Sequence, residues 1–113
     1  MNSTLINEKI TTFCPQGYLS ADNADKFSQE LQAAVETSKR VPLLVNMENV
    51  DFIDSAGLMV LIDAFRFAKN LDCHLSICSV AAPVKIVFEL TQLDNVFTIF
   101  DNQDSYLAEA IAA

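Results

Sequence analysis

The stretch Leu43–Lys69, LLVNMENVDFIDSAGLMVLIDAFRFAK, sets a short apolar run, a polar break and a long amphipathic run in succession. Leu43-Leu44-Val45-Asn46-Met47 is apolar without alternation, as expected of a central strand covered on both faces. From Gly57 to Leu71 the apolar residues recur at helical spacing. A strand passing through a loop into a helix is the repeating unit of an α/β sheet, where ligands and partners meet the loops at the carboxyl ends of the strands. The loop here, ENVDFIDSAG (48–57), holds two aspartates, a serine and a glycine.

The same unit repeats outward from this segment. Leu5 to Phe13 mixes β-branched and polar residues and predicts a strand, closed by the turn signal Cys14-Pro15-Gln16-Gly17. Tyr18-Leu19 predicts a short second strand, and Ser20-Ala21-Asp22-Asn23 offers several N-caps. Ala24, Phe27, Leu31, Ala34 and Val35 then mark a helix, with Lys39-Arg40 complementing its C-terminus and Pro42 stopping it. Beyond the central segment, Leu75 to Val80 reads as a strand, Pro83 to Leu93 as a helix and Val96 to Phe100 as a last strand. Asp101 or Asn102 can cap a final helix through Ile111. The order ββαβαβαβα predicts one α/β domain over residues 1–113: a mixed, mostly parallel sheet of about five strands, with an antiparallel pair at its start, packed with about four helices.

With 113 residues, about half of them apolar, the chain can bury a core without disulfides or metal. Seven basic against fifteen acidic residues leave a net charge of −8. Such a surface argues against nucleic acid and anionic membranes as partners, since both are themselves negative. The N-terminus shows no basic segment followed by an apolar one, and the longest apolar run, Ala56 to Ile62, is far short of a membrane span. A cytoplasmic protein is expected. Three cysteines, an odd set, suit a reducing compartment. Cys73, His74 and Cys78 are spaced along a strand that sends the two thiols to opposite faces, so no metal site is expected there.

Asp54 or Ser55 can cap the second helix, and Gly57 permits close backbone approach. Ser55 is therefore readable as a cap alone. The charge placement supports a second reading, because a helix N-terminus accepts a phosphate without harm to the fold. A phosphate there would change the charge beside Asp51 and Asp54, and hence the surface a partner meets. On the helix, Leu58, Val60, Leu61, Ala64, Phe65, Phe67, Ala68 and Leu71 form one apolar face. Met59 and Ile62 fall among the polar residues, so Ser55, Met59, Ile62 and Arg66 share a line that reads either as stray surface hydrophobes or as a partner footprint.

These residues carry a resemblance. The central segment, with its Asp-Ser-Ala-Gly-Leu, resembles that of STAS domains, in particular the anti-sigma factor antagonists. GYLSADNADKF and LSICSVAAPVKIVFELTQLDNVFTIF resemble the family's second strand with first helix and its last strand-helix-strand. The resemblance implies a partner switch: Ser55 phosphorylated by a cognate GHKL-type serine kinase that doubles as anti-sigma factor, and dephosphorylated by a PPM-type phosphatase. It places Asp54 beside the acceptor and Met59, Ile62 and Arg66 on the contact surface with Ser55 and Gly57, to which the charge placement adds Asp51. Two positions depart from the family pattern, Asn46 and Ser20, where many members have aspartate; Asp51 restores part of that charge. The alternative is a non-switching STAS subunit of a transporter or sensory complex. An enzyme with Ser55 as nucleophile would need His74, the sole histidine, as base, and the surround is not a G-x-S-x-G elbow. No catalytic role is expected, and no cofactor.

Overall fold

A computed structural model describes residues 3–6, 10–38 and 41–112. Strands β1 (Ser3–Ile6), β2 (Thr11–Cys14), β4 (Leu43–Asn46), β6 (Leu75–Cys78) and β7 (Ile99–Phe100) form a five-stranded sheet in the order β1-β2-β4-β6-β7. Every pairing in it is parallel except β1 with β2. Strands β3 (Gln16–Leu19) and β5 (Asn49–Ile53) make a separate parallel pair that follows directly on β2 and β4. Helices α1 (Ala24–Thr37), α2 (Ser55–Asn70), α3 (Ala82–Leu90) and α4 (Gln103–Ala112) complete the α/β domain, with a 3₁₀ turn at Leu93–Asn95.

Three expectations need correcting. Leu5–Phe13 is not one strand: the register Ser3↔Cys14 to Ile6↔Thr11 requires the chain to reverse between Ile6 and Thr11. The antiparallel pair at the start is therefore β1 with β2, while Tyr18-Leu19 belongs to β3 and runs parallel to β5. The segment Asn49–Ile53, read as loop, is a strand; its partner β3 lies some thirty residues away in sequence, so local pattern could not reveal it. The strand expected over Val96–Phe100 shrinks to Ile99–Phe100, because Leu93–Asn95 turns first. Lys39 and Arg40 lie outside the described residues; α1 ends at Ser38, whose hydroxyl and N–H both bond to the Ala34 carbonyl.

The pleat sorts the core into two. Leu43, Val45, Leu75 and Ile77 point with Phe13 into the cluster beneath α1, α2 and α3. Leu44 and Cys78 point the other way, against Tyr106 of α4. All four residues of β4 are buried, as a strand covered on both faces must be. Cys73 and Cys78 fall in different clusters, as alternation implies, and burial pushes both thiols above their usual range.

Candidate partner-binding site

The break in the hydrophobic pattern lies where β5 turns into α2, and one carboxylate organises it. Asp54, at the N-cap, accepts the Gly57 N–H through Oδ1 at 3.1 Å and the Ala21 N–H through Oδ2 at 3.2 Å. Its own N–H donates to the Leu19 carbonyl at 3.0 Å. Asp54 thus satisfies one of the orphan donors of α2 and ties that helix to the turn between β3 and α1. Asn23 braces the same turn, accepting the Ser20 N–H at 2.9 Å and donating to the Tyr18 carbonyl at 2.7 Å.

Ser55 is consequently released from capping. It is the first helical residue, is exposed, and its hydroxyl has no hydrogen-bond partner among the described residues. Gly57 is buried, and the close approach it permits is to this chain itself. A Cβ there would lie 2.6 Å from the Leu19 carbonyl oxygen and 2.7 Å from Ile53 Cγ1. Its part in the site is to let α2 sit on the β3–β5 pair, which holds Ser55 in place. Asp51 is exposed on β5.

Along α2, Leu58, Val60, Leu61, Ala64 and Ala68 of the expected inward face are buried, while Phe65, Phe67 and Leu71 are partly buried against the core. Met59 is half exposed, at 50%, and Arg66 is exposed. Ile62 is only partly so, since it packs against the core while reaching the surface. The stripe from Ser55 through Met59 to Arg66 therefore faces outward on a rigid helix. Sequence reasoning missed an aromatic pair beside it: Tyr18 (65% exposed) and Phe52 (41%) face each other across β3 and β5, ring centroids 6.3 Å apart. Had Asn49–Ile53 been recognised as a strand parallel to β3, the pairing of these two rings would have followed.

Neither of the two departures, Asn46 and Ser20, makes a hydrogen bond to Ser55 or Asp54. Asn46 is buried at the end of β4, accepting the Glu48 N–H at 3.0 Å and donating to Gln103 Oε1 of α4 at 3.3 Å. Ser20 stands in the turn braced by Asn23. His74 is exposed, and its carbonyl accepts the Leu43 N–H at the opening of β4. Ser55 follows β5 at the far end of the same run of strands, so the two are not brought together. Among the described residues no group of three His, Cys, Asp or Glu is placed to hold a metal, and no helix is long and apolar enough to cross a membrane.

A single α/β domain with a mostly parallel sheet and four helices in this order defines a recognisable class. Residues 3–106 match the STAS domain profile, and the chain belongs to that family. An anti-sigma F factor antagonist of Paenibacillus polymyxa is 23% identical over 93 residues, covering 82% of this chain and 80% of its own. The crystal structure of an anti-sigma factor antagonist from Mycobacterium paratuberculosis superposes with a TM-score of 0.86 at 18% identity, covering 97% of this chain and 92% of that one. A sulfate transporter family protein from Wolinella succinogenes shares the fold at a TM-score of 0.78 and 16% identity, over 96% of this chain and 89% of that one.

Proposed function

We infer that this chain is an anti-sigma factor antagonist-like regulator, a binding protein rather than an enzyme, switched by reversible phosphorylation of Ser55. The observation that carries the reading is the division of labour at the start of α2. Asp54 does the capping, so Ser55 is an exposed hydroxyl with no structural task, fixed on a rigid frame beside an outward stripe. In this reading the unmodified surface, including Asp51, Met59, Ile62 and Arg66, docks a GHKL-type serine kinase that doubles as anti-sigma factor, in the cytoplasm. A PPM-type phosphatase removes the phosphate. The named relatives support the general role.

A phosphate on Ser55 would adjoin the positive end of α2, where an anion gains ~0.3–1 kcal/mol. Asp51 and Asp54 oppose that gain, so the fold should change little. A partner burying Ser55 would instead have to desolvate a dianion beside two carboxylates, which costs several kcal/mol without a matching cation. Since ~1.4 kcal/mol is tenfold, affinity should fall by about two orders of magnitude or more. The test is a titration of the cognate kinase with the wild type, Ser55→Ala and Ser55→Asp, with peptide mapping after incubation with ATP. Binding lost in Ser55→Asp alone, and phosphate mapped to Ser55, is the expected result. Phosphate on Ser20 or Ser79 with Ser55 unmodified refutes it. The likeness to a transporter family protein favours one other reading, a non-switching assembly subunit, in which Ser55→Asp leaves assembly intact.

A further inference from the structure

Further along α2 the surface changes character. Ile62, Phe65, Arg66 and Lys69 of the helix, with Leu93 and Val96 from the segment after α3, line an open cleft of about 330 Å³. Behind the lining, buried Phe97 meets Phe65 edge-on at 5.4 Å between centroids and Phe88 at 5.9 Å, which holds Phe65 in place. Val96 is left 49% exposed. The lining includes two cations. Arg66 makes no hydrogen bond or ion pair with any described residue, and Lys69 Nζ lies over the Phe65 ring, 4.9 Å from its centroid, with no carboxylate partner among the described residues. Asp63 and Asp94 adjoin Ile62 and Leu93 on the same two elements and are exposed, but neither lines the cleft or pairs with these cations.

We propose that this cleft docks an acidic amphipathic segment of a partner protein. One large apolar side chain enters between Ile62, Phe65, Leu93 and Val96, and flanking carboxylates meet Arg66 and Lys69. The proposal deepens the switching reading, since the cleft lies on the same helix, by naming the partner's chemistry at its far end. Charge complementarity selects the occupant. In a chain of net charge −8, an acidic segment is repelled over most of the surface and attracted where two cations, without an ion pair among the described residues, line an apolar hollow. A guanidinium also takes a carboxylate in bidentate fashion, which fixes register. A peptide segment suits the shape better than a lipid tail, because the cleft is open along one side and would leave a tail partly in water.

Ser55 and the cleft are well separated. The rise from Ser55 to Arg66 is ~16 Å and to Lys69 ~21 Å, beyond the ~8–10 Å screening length of physiological salt. A complete partner would therefore present a basic surface to Asp51 and Asp54 and an acidic, apolar one about three to four helical turns away. Phosphorylation would act on the first contact alone.

The test titrates a helical peptide of roughly four turns, with Leu, Leu and Phe at i, i+4 and i+7 flanked by Glu, into the isotopically labelled chain. A second peptide carries Lys in place of every Glu. Amide shifts over residues 62–69 and 93–97 are expected with the acidic peptide, with at least tenfold weaker binding of the basic one. The double variant Arg66→Glu/Lys69→Glu, and separately Val96→Glu, should each weaken the acidic peptide about tenfold or more, while Lys85→Glu, the same charge change on α3, stays within about twofold. All substituted residues are exposed, and melts verify that each variant folds. Equal binding of the two peptides, shifts centred on Tyr18 and Phe52, an unaffected double variant, or dodecanoate occupying the cleft more tightly than the peptide would each overturn the proposal. No kinase is used, so failure here is distinguishable from failure of the Ser55 switch.

Discussion

Replacing Gly57 by alanine is expected to destabilise the domain by about 2 kcal/mol, although alanine is the better helix former. The added methyl would sit 2.6 Å from the Leu19 carbonyl oxygen, 2.7 Å from Ile53 Cγ1 and 3.1 Å from Leu19 Cβ. Neither neighbour can yield easily. Leu19 and Ile53 are buried, and the carbonyl is the acceptor for the Asp54 N–H at 3.0 Å. Overpacking of this kind costs ~1–3 kcal/mol, and loosening the hydrogen bond adds ~0.5–1.5 kcal/mol. The gain in helix propensity offsets ~1 kcal/mol of that. For a chain of this size ~1 kcal/mol corresponds to ~4 °C, so the melting midpoint should fall by about 8 °C, and urea melts should show an earlier midpoint with unchanged slope. Gly17 provides the contrast, with φ +83° and open space around it. Gly17→Ala should cost ~1–2 kcal/mol from backbone strain alone, part of which Gly17→Asn recovers. A Gly57→Ala variant that melts at or above the wild-type midpoint would refute the argument that α2 is seated on Leu19.

Met59→Glu should leave the thermal midpoint nearly unchanged, because the side chain is half exposed, whereas Leu61→Ala, fully buried, should cost ~2–5 kcal/mol; circular-dichroism melts that rank the two alike would show the helix to be rotated otherwise. Alkaline stability supplies a third prediction. Burial raises the ionisation of Cys73, Cys78 and Tyr106 above the unfolded values, so the native state holds its protons longer than the unfolded chain. The stability is then fully present below the unfolded thiol value of ~8.5 and is lost progressively as pH rises through the raised folded values. Urea midpoints should decline from about pH 8.5 upward, less steeply in Cys73→Ala/Cys78→Ala; a midpoint flat to pH 10 would contradict the burial of these groups.

What the amino-acid sequence determined by itself is whatever depends on short-range pattern. The apolar run of β4, the amphipathic period of α2 and the strand-helix alternation after it each follow from residues a few positions apart, because pleat and helical turn impose fixed spacings. The outward placement of Ser55, Met59 and Arg66 follows from the same periodicity. What only the tertiary structure decided depends on partners distant in the chain. Asn49–Ile53 becomes a strand because β3 offers it a ladder, not through its own irregular pattern. Asp54 rather than Ser55 becomes the cap because its second oxygen and its N–H are claimed by Ala21 and Leu19. Gly57 is required by a carbonyl that no local reading brings near it. The cleft exists because Leu93 and Val96, roughly twenty-five residues beyond the end of α2, are carried back onto it by the packing of Phe97 against Phe65 and Phe88. Spacing along the chain encodes which face a side chain occupies, while the atom it meets there is settled by long-range packing.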